Sequence, residues 1–348
     1  MIIKKDSVLS LDKFINESLY NKKLGYYMKS NPFGEKGDFI TSPNISVLFS
    51  EMIAIWVISF WENLNCPKQF NLIELGAGNG EMMTIMISTF QKFPQFKNSC
   101  NIKILEKSKH LKKLQKKIIK DRKVEWLNDL KNLNNLPCIF IANEFFDALP
   151  IKQFIKKKGK WFERYVKFNN KIKSEYLDIL FDIKKLEEEI KFKISLKQNF
   201  IEYSPLALKY LKIITNKIDN NDGGILIIDY GYLEKEMKNT IQAVSKHKYC
   251  NILNGFGSTD ITYNLSFNLI NKIIKKLGPC SSLSTTQKKF LTKLGILDRA
   301  EIFSKNMPFS RKADIYFRIK RLIDENQMGH LFKVMFITNH KNKFKLGF

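Results

Sequence analysis

The stretch 70-FNLIELGAGNG-80 decides the fold. Its first half, NLIEL, is a short apolar run of the kind that fills a strand covered on both faces. Its second half places glycine at Gly76, Gly78 and Gly80. Glycine after a first parallel strand removes Cβ, so the chain can turn sharply and a ligand can approach the backbone. The helix that follows offers its N-terminal N–H groups to that ligand. A dinucleotide turn needs G-x-G-x-x-G, but the position of its last glycine is Glu81 here. An acid, Glu74, stands two residues before the first glycine.

Outward from this turn, strands and helices alternate. Residues 80–92 have helical spacing, NIKILE (101–106) is a strand, 108–120 a helix, and KVEWL (123–127) and PCIFIAN (137–143) are strands. Such alternation predicts a mostly parallel sheet with helices on both faces and right-handed crossovers. Upstream, residues 8–20 have helical spacing, 24–43 read as mostly loop, and 44–64 read as a buried helix capped by Asn44 or Ser46. Downstream, 151–170 breaks the pattern as a hairpin around Lys158-Gly159-Lys160. A charged helix follows at 183–192, then a turn and helix from Ile201, and GGILIIDYGY (223–232) is a fully buried strand. Residues 258–300 read as a short strand, a helix and the stretch LSTTQKKFLTKLG, and GHLFKVMFIT closes the chain as a final strand. One core with insertions fits better than two independent domains. The expected division is an N-terminal helix and lid loop (1–47), a core (48–235) with an insertion at 151–200, an accessory substrate-side segment (236–304), and C-terminal strands (305–348).

The turn resembles the first motif of Rossmann-like S-adenosylmethionine (SAM) methyltransferases. In those enzymes it packs against the amino-acid end of the cofactor, which carries an ammonium and no pyrophosphate, and Glu74 suits that positive end. A plain tight strand-to-helix turn is the alternative. The second strand ends at Glu106, 26 residues after Gly80, where an acid can accept hydrogen bonds from both ribose hydroxyls. Asn128 and Asp129 follow the third strand, where they read an adenine amino group or are solvated loop residues. The expected fold class is therefore α/β, a Rossmann-like SAM methyltransferase core with an N-terminal extension and inserted segments.

Composition adds bounds. The 348 residues suffice for one large α/β domain. The longest apolar run, Met52 to Phe60, is too short for a membrane span. The N-terminus carries neither a secretion signal nor an arginine-rich transit peptide, which leads to the expectation of a bacterial-type cytoplasmic protein. Five cysteines and four histidines are scattered without metal-ligand spacing, so no metal and no disulfide framework are expected. Net charge is +25, which raises nucleic acid as a partner. The lysines, however, sit in predicted loops and solvated helix faces, so nucleic acid is not the favoured partner; a homodimer is left open.

Several long blocks together resemble the MidA-like family of SAM-dependent methyltransferases. They are GYYMKSNPFGEKGDFITSPNIS (25–46), IELGAGNG (73–80), ANEFFDALPIKQF (142–154), EYSPLA (202–207), GGILIIDYGY (223–232) and MGHLFKV (328–334). The likeness runs from about residue 8 to 337, and the family includes a mitochondrial complex I assembly factor that methylates a protein arginine. The resemblance implies SAM as cofactor, S-adenosyl-L-homocysteine (SAH) as product, and a respiratory-complex subunit as protein substrate. Four positions depart from the family: Ala77 and Asn79 stand where its glycine turn usually has Pro and Arg, and Asn264 and Ser266 where it usually has His and Asp, so no role of those last two side chains carries over.

An arginine acceptor stays protonated in water, and carboxylates orient its planar fork bidentately. Asn143, Glu144 and Asp147 follow the fourth strand, at the carboxyl edge where such sheets bind ligands. Glu144 is expected to be the main guanidinium clamp. Asp147 is either a second carboxylate or the cap of a following helix. The block N-E-F-F replaces the N-P-P-F/Y of enzymes that methylate flat amino groups, which points to a charged acceptor. Gly34 and Gly37 flank a loop expected to cover the cofactor and deliver Asp38, Thr41 and Ser42, although Thr41 or Ser42 could simply end the loop before helix 44–64. Tyr230 either faces the acceptor or belongs to the core.

Overall fold

The computed structural model describes residues 7–29, 41–121, 123–168, 174–245 and 248–348. Seven strands form the central sheet: Phe70–Leu75, Cys100–Leu105, Glu125–Leu127, Cys138–Asn143, Gly223–Tyr232, Cys280–Thr286 and Phe332–Asn339. Numbered one to seven in chain order, they lie side by side as 6-7-5-4-1-2-3. Strands one to five run parallel, while the seventh is antiparallel to both five and six. Leu265–Ser266 adds a short parallel pairing at the end of strand five.

The near-continuous apolar runs are explained by burial on both faces. Along strand one, Phe70 and Leu72 join one core while Ile73 and Leu75 join the other. Strand five divides in the same way, Ile225 and Ile227 against Leu226 and Ile228, as the two-residue period of a strand requires. Helix Val47–Asn63 covers one face with Trp56, Phe60 and their neighbours. Of its two expected caps, Ser46 is the one used, its Oγ accepting from Leu48 N. Helices Pro205–Asn221 and Phe267–Leu277 cover the opposite face.

A second, five-stranded antiparallel sheet grows from the expected hairpin, Lys152–Lys157 with Lys160–Phe168. Lys158 and Gly159 both take positive φ (47° and 79°), the geometry of the two-residue turns that match strand twist. The open edge of this hairpin captures Val8–Ser10, so only Leu11–Tyr20 of the expected helix 8–20 is helical. The segment 236–304, expected to be accessory, also contributes the sixth strand of the core, and 305–348 supplies one strand rather than several. A three-stranded sheet, Gln242–Ser245, Lys248–Cys250 and Asp260–Thr262, lies within that segment. Among the described residues no helix is long and apolar enough to cross a membrane.

Candidate active site

Strand order reverses between strands one and four, and ligands of such sheets bind beyond the carboxyl ends of strands at that point. Both motifs of interest sit there. After strand one, Gly76, Gly78 and Gly80 take φ of +68°, +53° and +88°, values costly for any residue with a Cβ. Gly76 also lacks room for one, because a Cβ would lie 2.8 Å from the Phe145 ring. Gly76 N donates to Leu105 O at the end of strand two, and Gly80 opens helix Glu81–Phe90.

Glu106 closes strand two against this turn. Its Oε1 accepts from Ser108 N at 2.8 Å and its Oε2 from Gln115 Nε2 at 3.1 Å. Gln115 is fully buried; its Nε2 also donates to Gly78 O (2.9 Å), and its Oε1 accepts from Trp126 Nε1 (2.9 Å). One amide thus ties the glycine turn, the strand-two acid and strand three into a single frame. Sequence reasoning missed Gln115, because in the lysine-rich LKKLQKKIIK nothing distinguishes it from a solvated residue. Burial pushes the Glu106 carboxyl up, partly offset by these hydrogen bonds. Glu74 is buried beneath, and burial followed by repulsion from Glu106 raises it to about 8.

After strand four the chain turns at Glu144, which takes φ +51°. A non-glycine residue in the left-handed region costs about 1 kcal/mol and persists only where its surroundings enforce it. The enforcing group is Asp229 of strand five. Fully buried, it accepts from Phe146 N (3.0 Å) and Asp147 N (3.2 Å) through Oδ2, and from Tyr230 N through Oδ1. The Glu144 side chain accepts from Ser42 N (3.4 Å) and Asn143 Nδ2 (3.3 Å), and the Tyr230 hydroxyl also hydrogen-bonds to it. Burial outweighs these bonds and lifts its carboxyl to about 7. Asp147 and Asp229 are pushed well up, first by burial and then by neighbouring carboxylates. Asp260 is a further buried acid, accepting from the Tyr27 hydroxyl at 2.8 Å.

These groups converge on one cavity of about 390 Å³. Of the residues singled out from sequence, Gly76, Gly78, Glu106, Glu144, Asp147, Thr41 and Tyr230 line it. Glu74, Gly80, Asn143 and Ser42 are outside its lining, although Asn143 Nδ2 and Ser42 N donate to Glu144. Asn128 and Asp129 are exposed and outside its lining, Asn128 accepting from Lys112 Nζ and Asp129 from Lys131 N. That position matches the solvated-loop alternative. No helix follows Asp147, so it caps none. Tyr230 lies within strand five and reaches both the cavity and the core. Gly34, Gly37 and Asp38 of the expected lid lie outside the described residues. Of the residues that sequence left unassigned, Asp229 had a signal, an acid inside an apolar run; Tyr20 and Tyr27, both lining the cavity, had none. Ser266 accepts from Leu269 N as the cap of helix Phe267–Leu277, and Gln287 is buried with its Nε2 donating to Leu322 O (2.9 Å).

The cavity fits SAM by the chemistry of its walls. The glycine turn admits close backbone approach, Glu106 presents a carboxylate for a ribose diol, and Leu105, Phe145 and Tyr210 provide apolar and aromatic walls at the same end. Among the described residues no group of His, Cys, Asp and Glu could hold a metal ion.

Known proteins agree with this picture. Residues 52–285 match a family described as "Putative S-adenosyl-L-methionine-dependent methyltransferase". The chain is 27% identical to the mitochondrial protein arginine methyltransferase NDUFAF7 of Xenopus laevis, over 99% of this chain and 84% of the relative. The human protein of the same name is 26% identical over 97% of this chain and 82% of the relative. A crystal structure from Burkholderia thailandensis with bound S-adenosyl-homocysteine superposes with a TM-score of 0.81 at 21% identity, covering 98% of this chain and 90% of that one. These relatives correct one expectation: they are named as mitochondrial proteins, so the cytoplasmic assignment drawn from the N-terminus does not stand. With its glycine turn, strand-two acid and 3-2-1-4-5-7-6 sheet, the chain belongs to the S-adenosyl-L-methionine-dependent methyltransferases.

Proposed function

We propose that the protein transfers a methyl group to an arginine side chain of a protein substrate. The observation that carries this reading is the clustering of carboxyl groups at the acceptor end, where Glu144, Asp147 and Asp260 line one cavity. A bound cation offsets the desolvation of such carboxyls in their charged form, and a guanidinium supplies one with matching fork geometry. The names of the NDUFAF7 relatives support the same acceptor.

Bound in the cavity, SAM supplies the sulfonium methyl and leaves as SAH. The protein's own part is placement and proton handling. Glu144 holds the guanidinium fork and keeps its charge away from the attacking nitrogen. A nitrogen that has gained a methyl is strongly acidic at its N–H, and a carboxylate held beside it can take that proton. Asn143 and Tyr230 hold Glu144 in place, and Asp229 fixes the turn on which it sits.

The test incubates purified protein with methyl-labelled SAM, candidate respiratory-complex subunits and RNA. Label recovered as methylarginine after acid hydrolysis is expected. Label found only on RNA or small molecules would refute the arginine reading, and SAH affinity without any transfer would favour a non-catalytic SAM-binding role.

A further inference from the structure

The core methyltransferase elements supply the turn, Glu106 and Glu144, but they form only one side of the acceptor end. The other side comes from the three-stranded sheet inserted between strands five and six. Gln242, Val244, Tyr249, Asp260, Thr262 and Asn264 from this sheet and its margin line the same cavity as Glu144. We propose that this sheet is the docking wall for the arginine-bearing segment of the substrate, with Asp260 as the second carboxylate on the guanidinium and Tyr249 as the contact at the mouth. The inference rests on the arginine reading of the preceding section.

Three observations carry it. Asp260 is 4% exposed and lines the cavity, so an acid sits on the inserted wall as Glu144 does on the core. Its Oδ1 is held by the Tyr27 hydroxyl from the N-terminal segment, and the next turn of chain is fastened to the core by Tyr263 N donating to Asp147 O. The acid is therefore presented in a fixed position. A planar guanidinium has five donors, enough for a carboxylate on each side, whereas a lysine ammonium has neither the planar fork nor the span. Tyr249, by contrast, is 79% exposed although it belongs to the cavity lining. An aromatic left that open at the rim of an acidic cavity matches the anchoring residues of protein interfaces. Its strand, Lys248–Cys250, is one of the two outer strands of the small sheet, an edge able to run alongside an extended segment.

The experiment measures transfer to arginine-centred and lysine-centred peptide libraries by the wild type, Asp260→Asn and Tyr249→Ala, with SAH affinity determined by calorimetry for each. The expected result is a KM for arginine peptides raised about thirtyfold in Asp260→Asn and about tenfold in Tyr249→Ala, with SAH affinity within about twofold of wild type. A wild-type KM in either variant overturns the inference, as does a parallel loss of SAH affinity. Should Asp260→Asn fail to fold, Tyr249→Ala decides alone, since so exposed a side chain is not part of the core. Failure of the underlying reading looks different, because the wild type would then label no arginine peptide.

Discussion

Replacing Glu144 by Gln separates catalysis from stability in opposite directions. The amide keeps the volume and much of the hydrogen bonding but removes the charge. In a buried site, loss of one charged partner of a guanidinium pair costs about 3 kcal/mol, or about a hundredfold in kcat/KM for the arginine substrate. The free enzyme gains. The folded state holds Glu144 at about 7 against an ordinary 4.5, so the folded protein keeps a proton that the unfolded chain gives up. A raised carboxylate of this kind leaves folding unburdened at low pH and penalises it as pH climbs from 4.5 through 7. The full penalty is about 3 kcal/mol near pH 8, falling below about 1 kcal/mol at pH 5. For a chain of this length Glu144→Gln should raise Tm by about 4 °C at pH 8 and by little at pH 5. Scanning calorimetry of both proteins at the two pH values, beside single-turnover transfer, gives the readout. A variant that is inactive and less stable at pH 8, or one that is fully active, refutes the account of Glu144 as a functional acid held at a cost in stability.

The remaining expectations concern the cofactor end and pH. Gly76→Ala must fit a Cβ 2.8 Å from the Phe145 ring at φ +68°, and should weaken SAH binding at least about tenfold by calorimetry; unchanged binding would remove the turn from the cofactor site. Gln115→Leu strips partners from Gly78 O, Glu106 and Trp126 at once, and should raise the KM for SAM about tenfold or more with kcat for bound substrates nearly preserved. Asn128→Ala, exposed and outside the cavity lining, should leave SAH affinity within about twofold, and a tenfold loss would restore it as an adenine reader. Transfer by the wild type should rise with pH through about 7 as Glu144 ionises, and a flat profile from pH 6 to 8 would contradict its role.

Much of the core was legible because one constraint wrote it. Strands covered on both faces must be apolar along their whole length, so NLIEL, PCIFIAN and GGILIIDYGY stand out against a lysine-rich background. Short glycine turns are equally visible, since few other residues tolerate three positive φ values within five positions. What was hidden depends on contacts far apart in sequence. The strand at 8–10 exists only because the hairpin near residue 166 offers it an edge, and no local pattern announces that. LSTTQ is polar enough to pass for a loop, yet Cys280–Thr286 pairs along its full length with strand seven. At the site, Glu144 was readable from its place after strand four. Of the groups that hold the frame, Gln115 bonds groups of three other elements and leaves no mark on local spacing, while Asp229 shows only as an acid within an apolar run.

The placement of strand seven has a consequence for synthesis. Strand five pairs from Gly224 to Tyr230 with strand seven, whose first residue follows the end of strand five by about a hundred positions. At typical ribosomal rates that interval lasts about 5 to 20 s. Throughout it, a ten-residue run with four consecutive branched aliphatic residues (Ile225–Ile228) waits with an unsatisfied edge, the kind of ribbon on which nascent chains coalesce. Production of this enzyme should therefore be limited by chaperone supply during elongation, and ribosome-bound chains ending before residue 332 should be the species that chaperones retain.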